Sequence, residues 1–168
     1  MKKLIFLTFF LIFSTNANAG CDDPITDSVD YTKCKFSDGQ DLQGSYLPNS
    51  NLSFASFIQV NLDKSIMMNS NLAFGTFSES SFIRANLYES TLTGANFELS
   101  NFSSANLTRA DFMGATLIDV NFQNSNLMEA NFTSSNILNA NFEGANLIGA
   151  TWTNGEICGP DSIGVCNK

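Results

Sequence analysis

Four cysteines carry the chemistry that is easiest to predict in this chain. Cys21 and Cys34 lie near the N-terminus, and Cys158 and Cys166 lie near the C-terminus. The four thiols could pair into two disulfides, for which three connectivities exist, or they could ligate zinc together. A zinc site needs all four sulfur atoms in one place, so the structure between the two pairs decides between these alternatives.

Residue types that support catalysis are missing or scattered. The chain contains no histidine, and its 11 glycines form no phosphate-binding loop. The serines have no neighbouring base, and acidic residues such as Glu79 and Glu98 belong to an expected convex exterior rather than a cleft. We therefore predict a protein that is not an enzyme, with no catalytic residue and no cofactor.

An acidic segment lies near the N-terminus. Six of the 16 acidic residues fall between positions 22 and 41. Calcium binds such oxygen ligands, but the spacing matches no EF-hand loop, so a solvated acidic segment is favoured and no metal site is predicted. These residues are Asp22, Asp23, Asp27, Asp30, Asp38 and Asp41.

A repeat of five residues fills the chain between the two pairs of cysteines. Every fifth residue from Leu42 to Trp152 is Leu, Phe, Met, Ile or Trp, without exception. A period of five fits neither an α-helix, with about 3.6 residues per turn, nor a strand, whose side chains alternate with a period of two. The chain must therefore bend sharply and repeatedly, and each bend must restore the same side-chain direction.

Each unit combines a small residue, an Asn or Asp, and the large apolar residue. The residue two before the large one is nearly always Ala, Ser or Gly, as at Ala55 and Ser70. The residue just before it is most often Asn or Asp, as at Asn86 and Asp111. Residues two apart on an extended segment face the same way, so the large and small residues can both point into a narrow interior. Asn and Asp favour turns because their side chains bond to nearby backbone groups.

This pattern resembles the A(D/N)LXX consensus of the pentapeptide-repeat family over residues 40–154. The resemblance implies an all-β fold, a right-handed quadrilateral β-helix with four units per coil and nearly six coils. Residues twenty apart should then stack inside the solenoid. We expect a phenylalanine stack of Phe82, Phe102, Phe122 and Phe142, and a leucine stack of Leu87, Leu107, Leu127 and Leu147.

Residues 1–19 have the features of a bacterial secretory signal peptide. Lys2 and Lys3 precede an apolar run, and a small-residue cleavage site follows at Ala17-Asn18-Ala19. The apolar run is too short to span about 30 Å of hydrocarbon. We therefore expect an exported protein that is periplasmic or extracellular, or attached to the envelope.

Cys21 allows an alternative maturation. Ala19-Gly20-Cys21 resembles the end of a lipoprotein box, in which the cysteine becomes lipidated, but Asn18 stands where such a box has an apolar residue. Cleavage after Ala19 is preferred, and a lipid anchor at Cys21 would leave Cys34 without a partner.

The rod implied by the resemblance separates the two pairs of cysteines. Because the Cα atoms of a disulfide lie within about 7 Å, this geometry favours Cys21–Cys34 and Cys158–Cys166 and makes a shared zinc site improbable. The disulfides would close an N-terminal cap of residues 20–39 and a C-terminal cap of residues 155–168. Such caps would cover the apolar core and open backbone edges of the terminal coils.

The outward positions give one candidate partner surface. Equivalent positions twenty residues apart form an apolar row, continued towards the N-terminus by Pro48. Apolar rows of this kind can bind a protein partner or a second copy, although ordinary surface is also partly apolar. The net charge of −8 disfavours nucleic acid and anionic membranes as partners. The row, here called the apolar stripe, consists of Met68, Tyr88, Thr108, Met128 and Ile148.

Three functions remain open at this point. The favoured one is a non-catalytic rod outside the cytoplasm that binds or scaffolds a protein partner. The resemblance also implies an alternative, because some pentapeptide-repeat proteins are acidic, DNA-mimicking rods that bind the topoisomerase gyrase; an export signal is at odds with that cytoplasmic target. A secreted factor acting on a host is the third, and fold alone does not supply function.

Overall fold

The computed structural model describes Cys21, Ile25 and residues 27–168, so the predicted signal peptide at residues 1–19 lies outside it. Within the described residues, the secondary structure consists of single-residue β-bridges separated by two-residue turns, without a helix or a longer strand. This part of the chain accordingly contains no helix that could cross a membrane.

Four rows of parallel bridges join successive coils. Each bridging residue from Asp41 to Asn131 pairs with the residue twenty positions later, which is the period expected for four units per coil. Regular backbone bonds accompany the bridges, such as the one from the Leu52 N–H to the Asn71 carbonyl at 2.6 Å. With this twenty-residue spacing, the rows run from Asp41, Tyr46, Asn51 and Ser56 to Asn141, Asn146, Thr151 and Asn136, respectively.

The two variable residues of each unit form a corner of the coil. At the second of them the backbone φ is positive in every unit from Gly44 to Gly149, including 60° at Phe54 and 61° at Leu99. This left-handed conformation costs a non-glycine residue about 1–2 kcal/mol, so the surroundings must impose it. The next coil does so, since the Phe54 N–H donates to the Ala73 carbonyl at 2.9 Å.

Two kinds of hydrogen bond involve the Asn or Asp of the units, one local and one that occurs in only some of the units. Asn61 Oδ1 accepts the N–H of Asp63 at 3.0 Å, which forms the local turn. Asn61 Nδ2 donates to Asp41 Oδ1 of the preceding coil at 2.9 Å, which joins the coils. The local bond needs a short side chain with a terminal oxygen, which Asn and Asp both provide, whereas the bond between coils uses an Asn amide as its donor.

The large residues fill the interior, and the phenylalanines stack along the rod. The expected stack of Phe82, Phe102, Phe122 and Phe142 is confirmed, with ring centroids 4.5, 5.4 and 5.1 Å apart. Phe112 contacts this stack edge to face, at 6.2 Å from Phe102 and 5.7 Å from Phe122. The expected leucine row is also fully buried at Leu87, Leu107, Leu127 and Leu147.

The small residues are buried between the large ones. Ser125 Oγ donates to the Phe122 carbonyl at 2.7 Å, and Ser100 Oγ has two carbonyl partners. Ser65 lies in the same row of the coil as Ser125, but its hydroxyl is the one buried side-chain polar group in the described residues without a hydrogen-bond partner.

We expect Ser65→Ala to raise the free energy of unfolding by about 1 kcal/mol, because the substitution removes an unsatisfied buried hydroxyl. Ser125→Ala, in the same row, should lower it by roughly 0.5–1.5 kcal/mol, because it removes a hydroxyl that is bonded. Urea denaturation of the two variants measures both changes, and a loss of stability in Ser65→Ala would contradict the prediction.

The coil geometry extends to the N-terminal side of residue 40. Asp30 bridges to Asn51 and Lys35 to Ser56, with a separation of 21 residues rather than twenty. One extra residue before the turn at Asp38 and Gly39 produces this shift. Tyr31 and Phe36 therefore enter the core, although they lie outside the unbroken five-residue series.

Both disulfides expected from the sequence are present. Cys21 bonds to Cys34, and Cys158 bonds to Cys166, with Cα atoms 5.3 and 4.9 Å apart, respectively. The bond to Cys34 leaves the Cys21 sulfur no free valence for a lipid.

The C-terminal tail reverses direction after Trp152. Ile157 forms an antiparallel bridge with Thr151, and Ile163 forms one with Asn146. The tail therefore lies along two of the four sides of the last coil, and the Cys158–Cys166 disulfide closes its loop.

Candidate partner surface

The five residues of the apolar stripe lie one above another on one side of the rod. Backbone hydrogen bonds set this register, because the residue after each stripe residue donates to the carbonyl of the next. Glu89 N–H binds the Thr108 carbonyl at 3.0 Å, and Arg109 N–H binds the Met128 carbonyl at 2.9 Å. Each coil thus presents one stripe residue at the same place on the same side.

Stacking reduces the exposed area of the stripe. Met68, Tyr88, Thr108, Met128 and Ile148 are all half-buried, and Pro48 at the N-terminal end of the row is buried. Thr108 Oγ1 is bonded to Asn106 Oδ1 at 2.8 Å and to Asn126 Nδ2 at 2.9 Å. The stripe is therefore a narrow, rigid strip whose central hydroxyl is already bonded.

A charged row borders the stripe in three consecutive coils, at the residue that follows the stripe residue. Arg109 Nε donates to Glu129 Oε2 at 2.7 Å, and Arg109 Nη1 donates to Glu89 Oε1 at 3.2 Å and to Tyr88 Oη at 3.3 Å. These hydrogen bonds to Glu129 and Glu89 raise the pKa of Arg109 further above its ordinary value. Hydrogen bonding to Tyr88, and then to Arg109, lowers the pKa of Glu89. The row is thus an ion-paired rim in which one arginine is shared by two glutamates, which leaves a net charge of −1.

The most exposed apolar side chains lie outside the stripe. Phe54 and Phe74 stack at 5.3 Å on another corner, and each is more than half exposed. Tyr46 is exposed because it occupies the outward position that usually holds Asn. Leu99 and Met113 are exposed in the middle of the rod, and further exposed apolar residues lie towards the C-terminal end, namely Leu138, Ile157, Ile163 and Val165. The sequence offers a signal for Tyr46, but the tail residues are outside the repeat and could not be placed from it.

No metal-binding group of three or more acidic or cysteine residues occurs in the described part of the chain. An open depression of about 430 Å³ lies at the N-terminal end, beside the Cys21–Cys34 disulfide. Lys35, Asp38 and Gln40 contribute to its lining, and no paired acid and base that could act on a substrate is found among these lining residues.

A family model described as "Pentapeptide repeats" matches the chain in eight copies. The matches cover residues 41–73, 80–117, 95–133 and 125–152. No curated protein gives a significant match.

Several solved structures resemble this chain. Full-length QnrB1, a plasmid-mediated fluoroquinolone resistance protein, is 20% identical, with a TM-score of 0.50 over 83% of this chain and 79% of QnrB1. Rfr23, a pentapeptide repeat protein from the cyanobacterium Cyanothece 51142, is 26% identical, with a TM-score of 0.43 over 67% of this chain and 63% of Rfr23. These likenesses concern the fold.

Proposed function

Because the chain belongs to the pentapeptide-repeat family, whose members fold as right-handed β-helices, we propose that it is a non-catalytic rod that binds or scaffolds a protein partner. The observation that carries the proposal is the unbroken ladder of bridges from Asp41 to Thr151. A ladder without inserted loops leaves no cleft in which catalytic groups could converge. Contact must instead use the outer sides or the ends.

The apolar stripe is the outer side proposed for this contact. Its backbone is fixed by a bond from every coil to the next, so a partner would meet a surface that loses little conformational entropy on binding. Tyr88 is the largest side chain of the stripe, and its hydroxyl is tied to Arg109. Tyrosines that combine apolar area with an anchored polar tip are frequent at the centres of interfaces.

The rod is proposed to work outside the cytoplasm, in the periplasm or beyond. The signal-peptide features of residues 1–19 and the two disulfides support this location, because disulfides persist in oxidising compartments. We also propose that the rod has nearly six coils and that residues 20–39 and 155–168 act as its caps.

An acidic rod that mimics DNA towards a topoisomerase remains the second candidate. The net charge of −8 supports it. Cell fractionation separates the two candidates, since the scaffold proposal requires the processed chain in the envelope or medium. Unprocessed protein found in the cytosol would favour the topoisomerase instead.

The proposal predicts that Tyr88→Glu will abolish partner binding, because the substitution places a charge in the middle of the stripe. The disulfide-bonded mature chain would be used to capture proteins from envelope extracts, and sedimentation would report self-association. Ser78→Glu is the matched control, because Ser78 is half-buried at the same repeat position on another side of the rod. Unchanged binding and unchanged oligomeric state in Tyr88→Glu would exclude the stripe as the contact surface.

A further inference from the structure

The last coil has unpaired backbone groups on two of its four sides. One coil earlier, the Leu117 N–H donates to the Asn136 carbonyl at 2.8 Å. The corresponding N–H of Ile137 has no acceptor within the described residues, and neither have those of Asn139 and Phe142. Within the described residues no further coil binds them, because the chain turns back after Trp152 and pairs with the other two sides.

The tail shows what kind of segment this edge accepts. On the two covered sides, the tail runs antiparallel to the coil, and Ile157 pairs with Thr151. The Cys158 N–H donates to the Ala150 carbonyl at 2.8 Å beside that pair. Extended backbone therefore binds the end of this solenoid by antiparallel edge addition, and it needs only a short straight stretch on each side.

The two open sides present unpaired backbone N–H and carbonyl groups around Asn136 and Asn141. Beside Asn136, the N–H of Ile137 and the carbonyl of Ser135 lack a partner in the described structure. Beside Asn141, the N–H of Phe142 and the carbonyl of Ala140 lack one as well. Leu138, between them, is 59% exposed. Neither proline nor lysine occurs along this edge, although these residues commonly protect edges from pairing.

Charge indicates which occupant fits. Residues 110–168 contain several acidic residues and one basic residue, Lys168, which is ion-paired with Glu156 in the tail. Asp119 and Glu143 flank the open edge and accept hydrogen bonds only from the amides of Asn139 and Gln123. A second copy docked end to end would bring identical carboxylates together, whereas a cationic segment would neutralise them.

We propose that the edge of residues 135–142 binds an extended, cationic segment of a partner protein by antiparallel β-addition. This inference rests on the proposed function in assuming a protein partner, but it places a contact at the C-terminal end rather than on the stripe. Backbone pairing supplies the attachment, Leu138 supplies apolar contact, and the flanking carboxylates select the charge.

The test uses the mature, disulfide-bonded chain and a blocked peptide, Lys-Val-Thr-Val-Thr-Val-Lys, followed by ¹⁵N–¹H NMR. At a peptide concentration of about 1 mM, the amide signal of Ile137 or Phe142 should shift and its hydrogen exchange should slow, according to which side the extended peptide occupies, because Leu138 and Asn139 form a corner between the two sides. The same peptide with Glu at both ends should shift that signal much less.

A charge-reversed variant makes the test specific. Asp119→Lys combined with Glu143→Lys should weaken binding of the Lys peptide about tenfold and strengthen binding of the Glu peptide. Glu79→Lys combined with Glu98→Lys is the control, because it changes net charge equally and Glu79, like Glu143, accepts a hydrogen bond from a glutamine. The control should retain binding of the Lys peptide.

Absence of a shift at both Ile137 and Phe142, equal effects of the two charge variants, or protection of these two amides in a dimer without peptide would overturn the proposal. Tyr88→Glu should bind the peptide as the parent chain does. Loss of partner binding through the stripe can therefore be distinguished from loss of peptide binding at the edge. The proposed contact on the stripe is tested separately, by the capture experiment with Tyr88→Glu.

Discussion

Phe102→Ala is expected to lower the free energy of unfolding by about 4 kcal/mol, within the usual range for a buried Phe replaced by Ala. Phe102 stacks between Phe82 and Phe122 and meets Phe97 edge to face at 5.1 Å. All of these rings are attached to coils fixed by the bridge ladder, so the cavity can collapse little. Loss of the aromatic contacts adds to the loss of buried area. Guanidinium denaturation followed by circular dichroism measures the change.

Phe74→Ala provides the matched control. Phe74 also stacks on a phenylalanine, Phe54, but its side chain is 56% exposed at a corner. The same number of atoms is removed, yet we expect a loss below about 1 kcal/mol, because most of the ring already contacts water. Similar losses in the two variants would show that burial inside the coil does not determine the contribution of a phenylalanine.

The interior could be predicted from the repeat because the large apolar residue of every unit points into the core of the coil. The Phe82 and Phe102 contact followed from counting in twenties, and so did the alignment of Tyr88 with Thr108. Each coil contacts only its neighbours, so a local rule extends along the whole ladder. Few other folds allow contacts between residues distant in sequence to be derived from spacing alone.

Features that break the period could not be predicted in this way. The extra residue near Ser37 shifts the first coil by one position and brings Tyr31 and Phe36 into the core. The tail after Trp152 runs antiparallel, which the parallel repeat does not anticipate. The partial burial of the stripe was also missed, because the sequence gives the direction of a side chain but not the area that its stacked neighbours cover.

Removal of the Cys158–Cys166 disulfide is expected to destabilise the attachment of the tail by about 2.5 kcal/mol, as the loop-closure relation gives for a bridge of sequence separation 8. The tail covers the N–H groups of Leu147 and Gly149, which donate to the carbonyls of Ser162 and Cys158 at 2.9 Å. In a Cys158→Ser, Cys166→Ser variant, hydrogen exchange at these two amides should therefore accelerate by roughly 70-fold.

The effect should remain at the C-terminal end, because a solenoid transmits stability through neighbouring coils only. The Leu92 N–H, bonded to the Asp111 carbonyl in the middle of the ladder, should exchange as in the parent chain. Cys21→Ser with Cys34→Ser, the equivalent change at the other end, should leave Leu147 and Gly149 protected. If Leu147 and Gly149 stay protected without the disulfide, the backbone pairing alone holds the tail on the last coil, and the disulfide does not contribute to its attachment.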